Sequence, residues 1–188
     1  MRRLRPSGDD GAVTIHSEHP FATPEPERAP VRRLRGRLAA PVTLWTSLDA
    51  TGDRVGLTVS STLIADGQPA KALGLIDPDS DLWEAMVRTR IAAVQVLGWS
   101  HRALADAFAG LAPAPGGPFR MASWVDTAWG PVLSDASAWA GLRLVDAEPR
   151  RIGWAVAAEA VVERVEVGED TPPLVHRRGE YVRVEGRA

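Results

Sequence analysis

The stretch VGLTVSS, Val55–Ser61, decides how this chain is read. At a strand's period of two, Val55, Leu57 and Val59 point to one side, and Gly56, Thr58 and Ser60 point to the other. The first set is core. The second set, a glycine and two hydroxyls, lets a flat ligand come close to the backbone and offers hydrogen bonds without charge. The same pattern fits a half-buried edge strand whose outward residues are simply polar. The segments on either side decide between the two readings.

Upstream, Ala40–Leu48 (APVTLWTSL) carries the β-branched content and alternation of a strand, and Asp49–Asp53 (DATGD) has the turn chemistry to reverse it into VGLTVSS as a hairpin. Downstream, Ala70–Ile76 predicts a third strand, stopped by DPDSD. Leu82, Trp83, Met86 and Val87 then switch to helical spacing, with Asp79, Ser80 and Asp81 as cap-type residues ahead of them. Ile91–Leu97 returns to a strand. Ser100–Gly110 reads as a second helix, with Ser100 as N-cap, Leu104 and Phe108 on one face and Gly110 as the stop. A proline- and glycine-rich loop leads into a segment rich in tryptophan, placed in extended and irregular structure through Trp129. Residues 140–147, 152–165 and 181–184 read as closing strands. The sum is a mainly β, α+β chain of six to seven mostly antiparallel strands with two short inserted helices. Closing such a sheet into a barrel removes exposed edges.

Composition narrows the function classes. A chain of 188 residues suits one domain with a tail, and a net charge of −2 supplies no basic field for nucleic acid or an anionic membrane. Without cysteine there is no disulfide framework, no thiolate nucleophile and no cysteine-based zinc site. No apolar run has the length of a membrane span, so a soluble cytoplasmic protein is expected. Residues 1–37 alternate charge, proline and small residues and read as a flexible extension ahead of a domain spanning 38–188. Its arginines at 28, 32, 33, 35 and 37 form a local basic patch, while His16, Glu18 and His19 make a weak metal pattern; no metal site is expected. Among seven tryptophans, Trp99, Trp124, Trp129 and Trp139 share the central segment, where core is the simple reading. No nucleophile elbow, Walker A sequence or dinucleotide fingerprint is present, and no residue is assigned as a catalytic acid, base or nucleophile.

The order of motifs is more specific than any one of them. A hairpin ending in GLTVSS, a strand and helix, VQVL, a helix ending in DAFAG, a WGPVL segment and a closing PLVHRRGEY together resemble the flavin reductase-like family with its FMN-binding split barrel. The resemblance covers about residues 38–184. It implies a homodimer that binds FMN or FAD near the subunit interface and reduces it with NADH or NADPH, supplying reduced flavin to a partner monooxygenase. Residue by residue it implies that Thr58, Ser60 and Ser61 line the flavin, and that Ser80 lies by the flavin phosphate. It places Gly179, Tyr181, His176 and Arg177 at the nicotinamide side. Two departures stand out. Asp77, Asp79 and Asp81 surround Ser80, leaving Lys71, Arg88 or Arg90 to offset them. Aligned on Gly179, Arg177 stands where the family often has a histidine and His176 where it has a tyrosine, and an arginine does not titrate near neutral pH.

Three functions follow in order. The first is a flavin reductase. The second is the same barrel binding flavin, heme or a deazaflavin without NAD(P)H-dependent reduction. The third is a cofactor-free interaction protein.

Overall fold

The computed structural model describes residues 29–146 and 148–184. In chain order the elements are α1 (Pro30–Arg37), β1 (Ala40–Pro41), β2 (Thr43–Leu48), β3 (Arg54–Val59), β4 (Leu63–Ala65), β5 (Lys71–Ile76), α2 (Asp81–Thr89), β6 (Ile91–Val96), α3 (Arg102–Phe108), β7 (Trp124–Thr127), β8 (Gly130–Leu133), β9 (Ala138–Leu144), β10 (Arg150–Ile152), β11 (Ala155–Val167), β12 (Leu174–Arg177) and β13 (Glu180–Arg183). Short 3₁₀ turns at Trp99–His101 and Pro118–Met121 flank α3.

Seven strands form the main sheet in the order β3-β2-β6-β9-β11-β5-β4, every pairing antiparallel, and β10 adds to β11 beyond the end of β9. The sheet curls because its two halves face one another. Trp45 on β2 is fully buried, and a side chain at Gly74 on β5 would stand 2.9 Å from its ring. The indole therefore spans the interior and fills it from wall to wall. α2 contributes Leu82, Trp83 and Met86 to the same core. Its start follows from the sequence: Ser80 Oγ accepts the Trp83 amide, capping one of the orphan N–H groups.

A second core lies on the other face of the sheet, where Leu104 and Phe108 of α3 meet Val42, Leu44, Leu133 and Leu174. Buried polar groups pin the β7–β8 hairpin there. Gln95 Nε2 donates to the Pro131 carbonyl at 3.1 Å, its Oε1 accepts the Leu133 amide at 2.7 Å, and Thr46 Oγ1 donates to Pro131 at 2.7 Å. Among the described residues no buried side-chain nitrogen or oxygen lacks a partner.

The split barrel and the two inserted helices agree with the sequence reading, and several local expectations are corrected. Ser100 is not an N-cap: it lies in a 3₁₀ turn, and α3 begins two residues later with no side-chain cap. The tryptophan-rich segment ends in a regular hairpin, Trp124–Leu133, because its residues pair in register from Trp124↔Leu133 to Thr127↔Gly130. The strand expected over 152–165 is two strands broken by a turn at Gly153, whose φ is +61°. β12 was hidden by the prolines before it. Residues 30–37, within the expected extension, form α1, and the Arg178 amide donates to the Gly36 carbonyl. The rest of that extension, with Arg28, His16, Glu18 and His19, lies outside the described residues. Among the described residues no helix is long and apolar enough to cross a membrane.

Candidate functional site

The hydroxyls of the opening strand have different partners. β3 is an edge strand of the main sheet, and Val59 enters the core with Val55 and Leu57 packed against it, as the alternation requires. The opposite face is not open. A side chain at Gly56 would stand 2.9 Å from Phe108 Cε1, and Thr58 Oγ1 donates to the Ala105 carbonyl at 2.8 Å. The glycine and threonine thus admit α3 and anchor it, where the sequence suggested room for a flat ligand.

Past the end of β3 the chain turns toward β5. Ser61 Oγ lies 3.1 Å from both the carbonyl and the amide of Leu75, donating to one and accepting from the other. Ser60 is half-buried, and its hydroxyl has no hydrogen-bond partner among the described residues. Ser80 follows four residues beyond Ile76, the last residue of β5; its Oγ donates to the Asp77 carbonyl at 2.7 Å while capping α2. Ser60, Ser61 and Ser80 therefore gather around one end of β5. The register places Leu63, Leu73, Leu75 and Ala157 near this group. Leu63 pairs with Leu73 and Leu75 with Ala157, so all four side chains share the face of the sheet turned away from the barrel core. Leu63 is 65% exposed and the other three are half-buried.

The three cations suggested as offsets to Asp77, Asp79 and Asp81 are committed elsewhere. Lys71 pairs with Glu159, Arg88 with Glu84, and Arg90 reaches the Leu144 and Val145 carbonyls and Asp146. None of the three aspartates has an ion-pair partner among the described residues.

The closing hairpin forms a second group. His176 and Tyr181 are cross-strand neighbours on β12 and β13, their rings edge to face at 6.0 Å. The two-residue turn between the strands is Arg178–Gly179, both at positive φ. Tyr181 Oη donates to Asp106 Oδ1 of α3 at 2.8 Å. Burial, reinforced by that carboxylate, pushes the phenol well above its ordinary range. Thr58 and Tyr181 thus meet on α3, at Ala105 and Asp106. Arg177 is exposed and stands opposite Glu180.

Two features escaped the sequence reading. One is a cavity of about 350 Å³ lined in part by Ser100, His101, Ser123, Ser134 and Asp135. The types suggest a nucleophile triad, and the geometry refuses it. The Gly98 amide donates to His101 Nδ1 at 3.1 Å, so the ring proton sits on Nε2, which faces Asp135 Oδ2 at 3.1 Å. Both ring nitrogens are used, and none remains to activate a serine. The other is the β10–β11 hairpin, RRIGW, with Arg150 and Arg151 exposed and Trp154 94% exposed at the turn. A tryptophan beside a glycine was the available signal. Among the described residues no group of three or more histidines or acids is placed to hold a metal.

Comparison with known proteins bears on what such a barrel belongs to. The family model described as "Flavin reductase like domain" matches residues 35–185. A protein of Variovorax paradoxus (strain S110) named "FMN reductase (NADH) RutF" is 31% identical over 127 residues, 67% of this chain and 69% of its own length. The styrene monooxygenase flavin reductase of Pseudomonas putida S12 superposes with a TM-score of 0.74 at 18% identity, over 85% of this chain and 100% of that one. The NADH:FAD oxidoreductase SgcE6 of Streptomyces globisporus, in complex with NAD and FAD fragments, gives 0.74 at 19% identity over 84% and 93%. The two structural likenesses establish the fold. With the family match extending across the barrel from α1 to β13, the chain is a member of the flavin reductase-like family.

Proposed function

We propose that the chain transfers a hydride from NADH or NADPH to FMN or FAD and passes reduced flavin to a partner monooxygenase. The observation that carries this is the end of β5: a half-buried, unpartnered Ser60 hydroxyl beside Ser61, next to the apolar face of Leu63, Leu73, Leu75 and Ala157. A flavin needs a flat apolar bed and neutral hydrogen-bonding groups at its edge, and the residues there fit it. Hydride acceptance belongs to the flavin when bound. The chain's share is to hold and orient it: Ser60 at the ring edge or ribityl chain, Ser61 keeping that turn against β5, and Ser80 with the free amides of α2 at the phosphate end. The exposed Leu63 on edge strand β4 fits a homodimer that covers this face and shields the site from water.

One observation favours the second reading, flavin, heme or deazaflavin binding without NAD(P)H turnover. The Tyr181 hydroxyl already serves Asp106, and Arg177 lies in solvent at the position where the resemblance implies a histidine. A single experiment separates the two. The chain is incubated with FMN, passed through gel filtration, and its visible spectrum followed anaerobically on adding NADH or NADPH; NAD(P)H oxidation is assayed in parallel with excess free FMN and FAD. Bleaching, or catalysed oxidation of the nucleotide, is expected. A flavin that co-elutes and is not bleached supports the second reading. No co-elution and no oxidation with either flavin overturns both.

A further inference from the structure

We propose that Arg150 and Arg151 of β10 form the cationic seat for the flavin phosphate, a role that rests on the flavin-binding reading above. Ser80 opens α2 with free amides, but Asp77, Asp79 and Asp81 bring three carboxylates to the same place with no cation paired to them among the described residues. A phosphate there meets repulsion that a helix start alone does not offset. Lys71, Arg88 and Arg90 are each bound to other groups.

The sheet register identifies the free cations. Arg151 pairs with Val156, which pairs with Ile76, and Asp77 follows Ile76 directly. Arg150 pairs with Ala157, which pairs with Leu75, the residue whose backbone Ser61 holds. The two arginines therefore lie two strand spacings, about 10 Å, across the sheet from the end of β5. Arg150 shares a face with Ala157 and Leu75, so only the small Ala157 stands between it and the residue whose backbone Ser61 holds. Arg151, on the alternate face, shares that face with Val156 and with Ile76, the residue before Asp77. Both arginines are exposed, and neither guanidinium has an ion pair or hydrogen bond among the described residues. A guanidinium fork matches a phosphate with two parallel hydrogen bonds, and the two charges, one from each face of β10, also offset the nearby aspartates.

The test compares FMN with riboflavin, which differ by the phosphate alone, in fluorescence titrations of the full chain at low and high salt. The wild-type chain should bind FMN roughly tenfold or more tighter than riboflavin, with a margin that shrinks as salt rises. The double variant Arg150→Ala/Arg151→Ala should lose that margin with riboflavin affinity unchanged, and Arg150→Lys/Arg151→Lys should keep part of it. A margin that survives in the double alanine variant overturns the assignment, as does a wild-type chain that binds both flavins equally. A wild-type chain that binds neither removes the flavin reading itself and this proposal with it.

Discussion

Thr58 and Ser60 lie two residues apart and share one face in a strand's period of two, yet the structure gives them different work. Thr58 Oγ1 is anchored to the Ala105 carbonyl, whereas the Ser60 hydroxyl is unpartnered beyond the end of the strand. Replacing Thr58 by valine leaves the carbonyl of buried Ala105 without its side-chain donor and should lower stability by about 1 kcal/mol, read from urea unfolding. Ser60→Ala should leave the unfolding midpoint in place and weaken flavin binding. The reverse result, with Ser60→Ala destabilising and flavin affinity unmoved, would shift the ligand site away from the end of β5. Ser80 is plain at this scale in its capping role, because a serine ahead of a helical repeat acts through bonds to residues three positions away.

α3 is the element on which both groups of expected site residues depend. It receives Thr58 from the main sheet and Tyr181 from the three-stranded sheet β1-β12-β13, so it joins the two. Tyr181 is the chain's single tyrosine, which makes its titration readable alone by tyrosinate absorbance. Its phenol titrates above the ordinary value of about 10 when folded, so the protonated form is the one the fold stabilises. The contribution is fully present below about pH 10 and is lost as pH rises toward the raised folded value. Urea unfolding at rising alkaline pH should show wild-type stability falling through this window, and the component should be missing from Tyr181→Phe. A tyrosinate titration with an ordinary midpoint in the folded chain would contradict the Asp106 contact. Asp106 gave no sign of this role in sequence, since its partner lies 75 positions away.

At the scale of the molecule, the barrel closes on one aromatic contact. Trp45 is fully buried and Gly74 leaves the space its ring occupies, so Gly74→Ala drives a methyl to about 2.9 Å from an indole that has nowhere to go. Overpacking of this kind costs about 1–3 kcal/mol, and thermal unfolding should register it. A Gly74→Ala chain as stable as wild type would mean that the two halves of the sheet do not meet at Trp45. Neither partner is conspicuous in sequence: Gly74 interrupts a strand pattern and Trp45 is one of seven tryptophans.

What the sequence determined by itself was periodic and local. The alternation of Val55–Val59, the turn chemistry of Asp49–Asp53 and the serine cap of α2 each act within a few residues, and each appears where it was read, although the strand stops before Ser60 and Ser61. The order of these motifs was enough to point to the family. Tertiary structure alone decided which face of β3 was free, because Phe108, 52 positions after Gly56, covers it. It also decided which cations were spent. Lys71 meets Glu159 across β5 and β11, and Arg150 and Arg151 approach the end of β5 only through the register of β10 on β11 on β5. Strand pairing joins residues distant in the chain, and a one-residue slip would reverse every face, so such contacts cannot be read from local pattern.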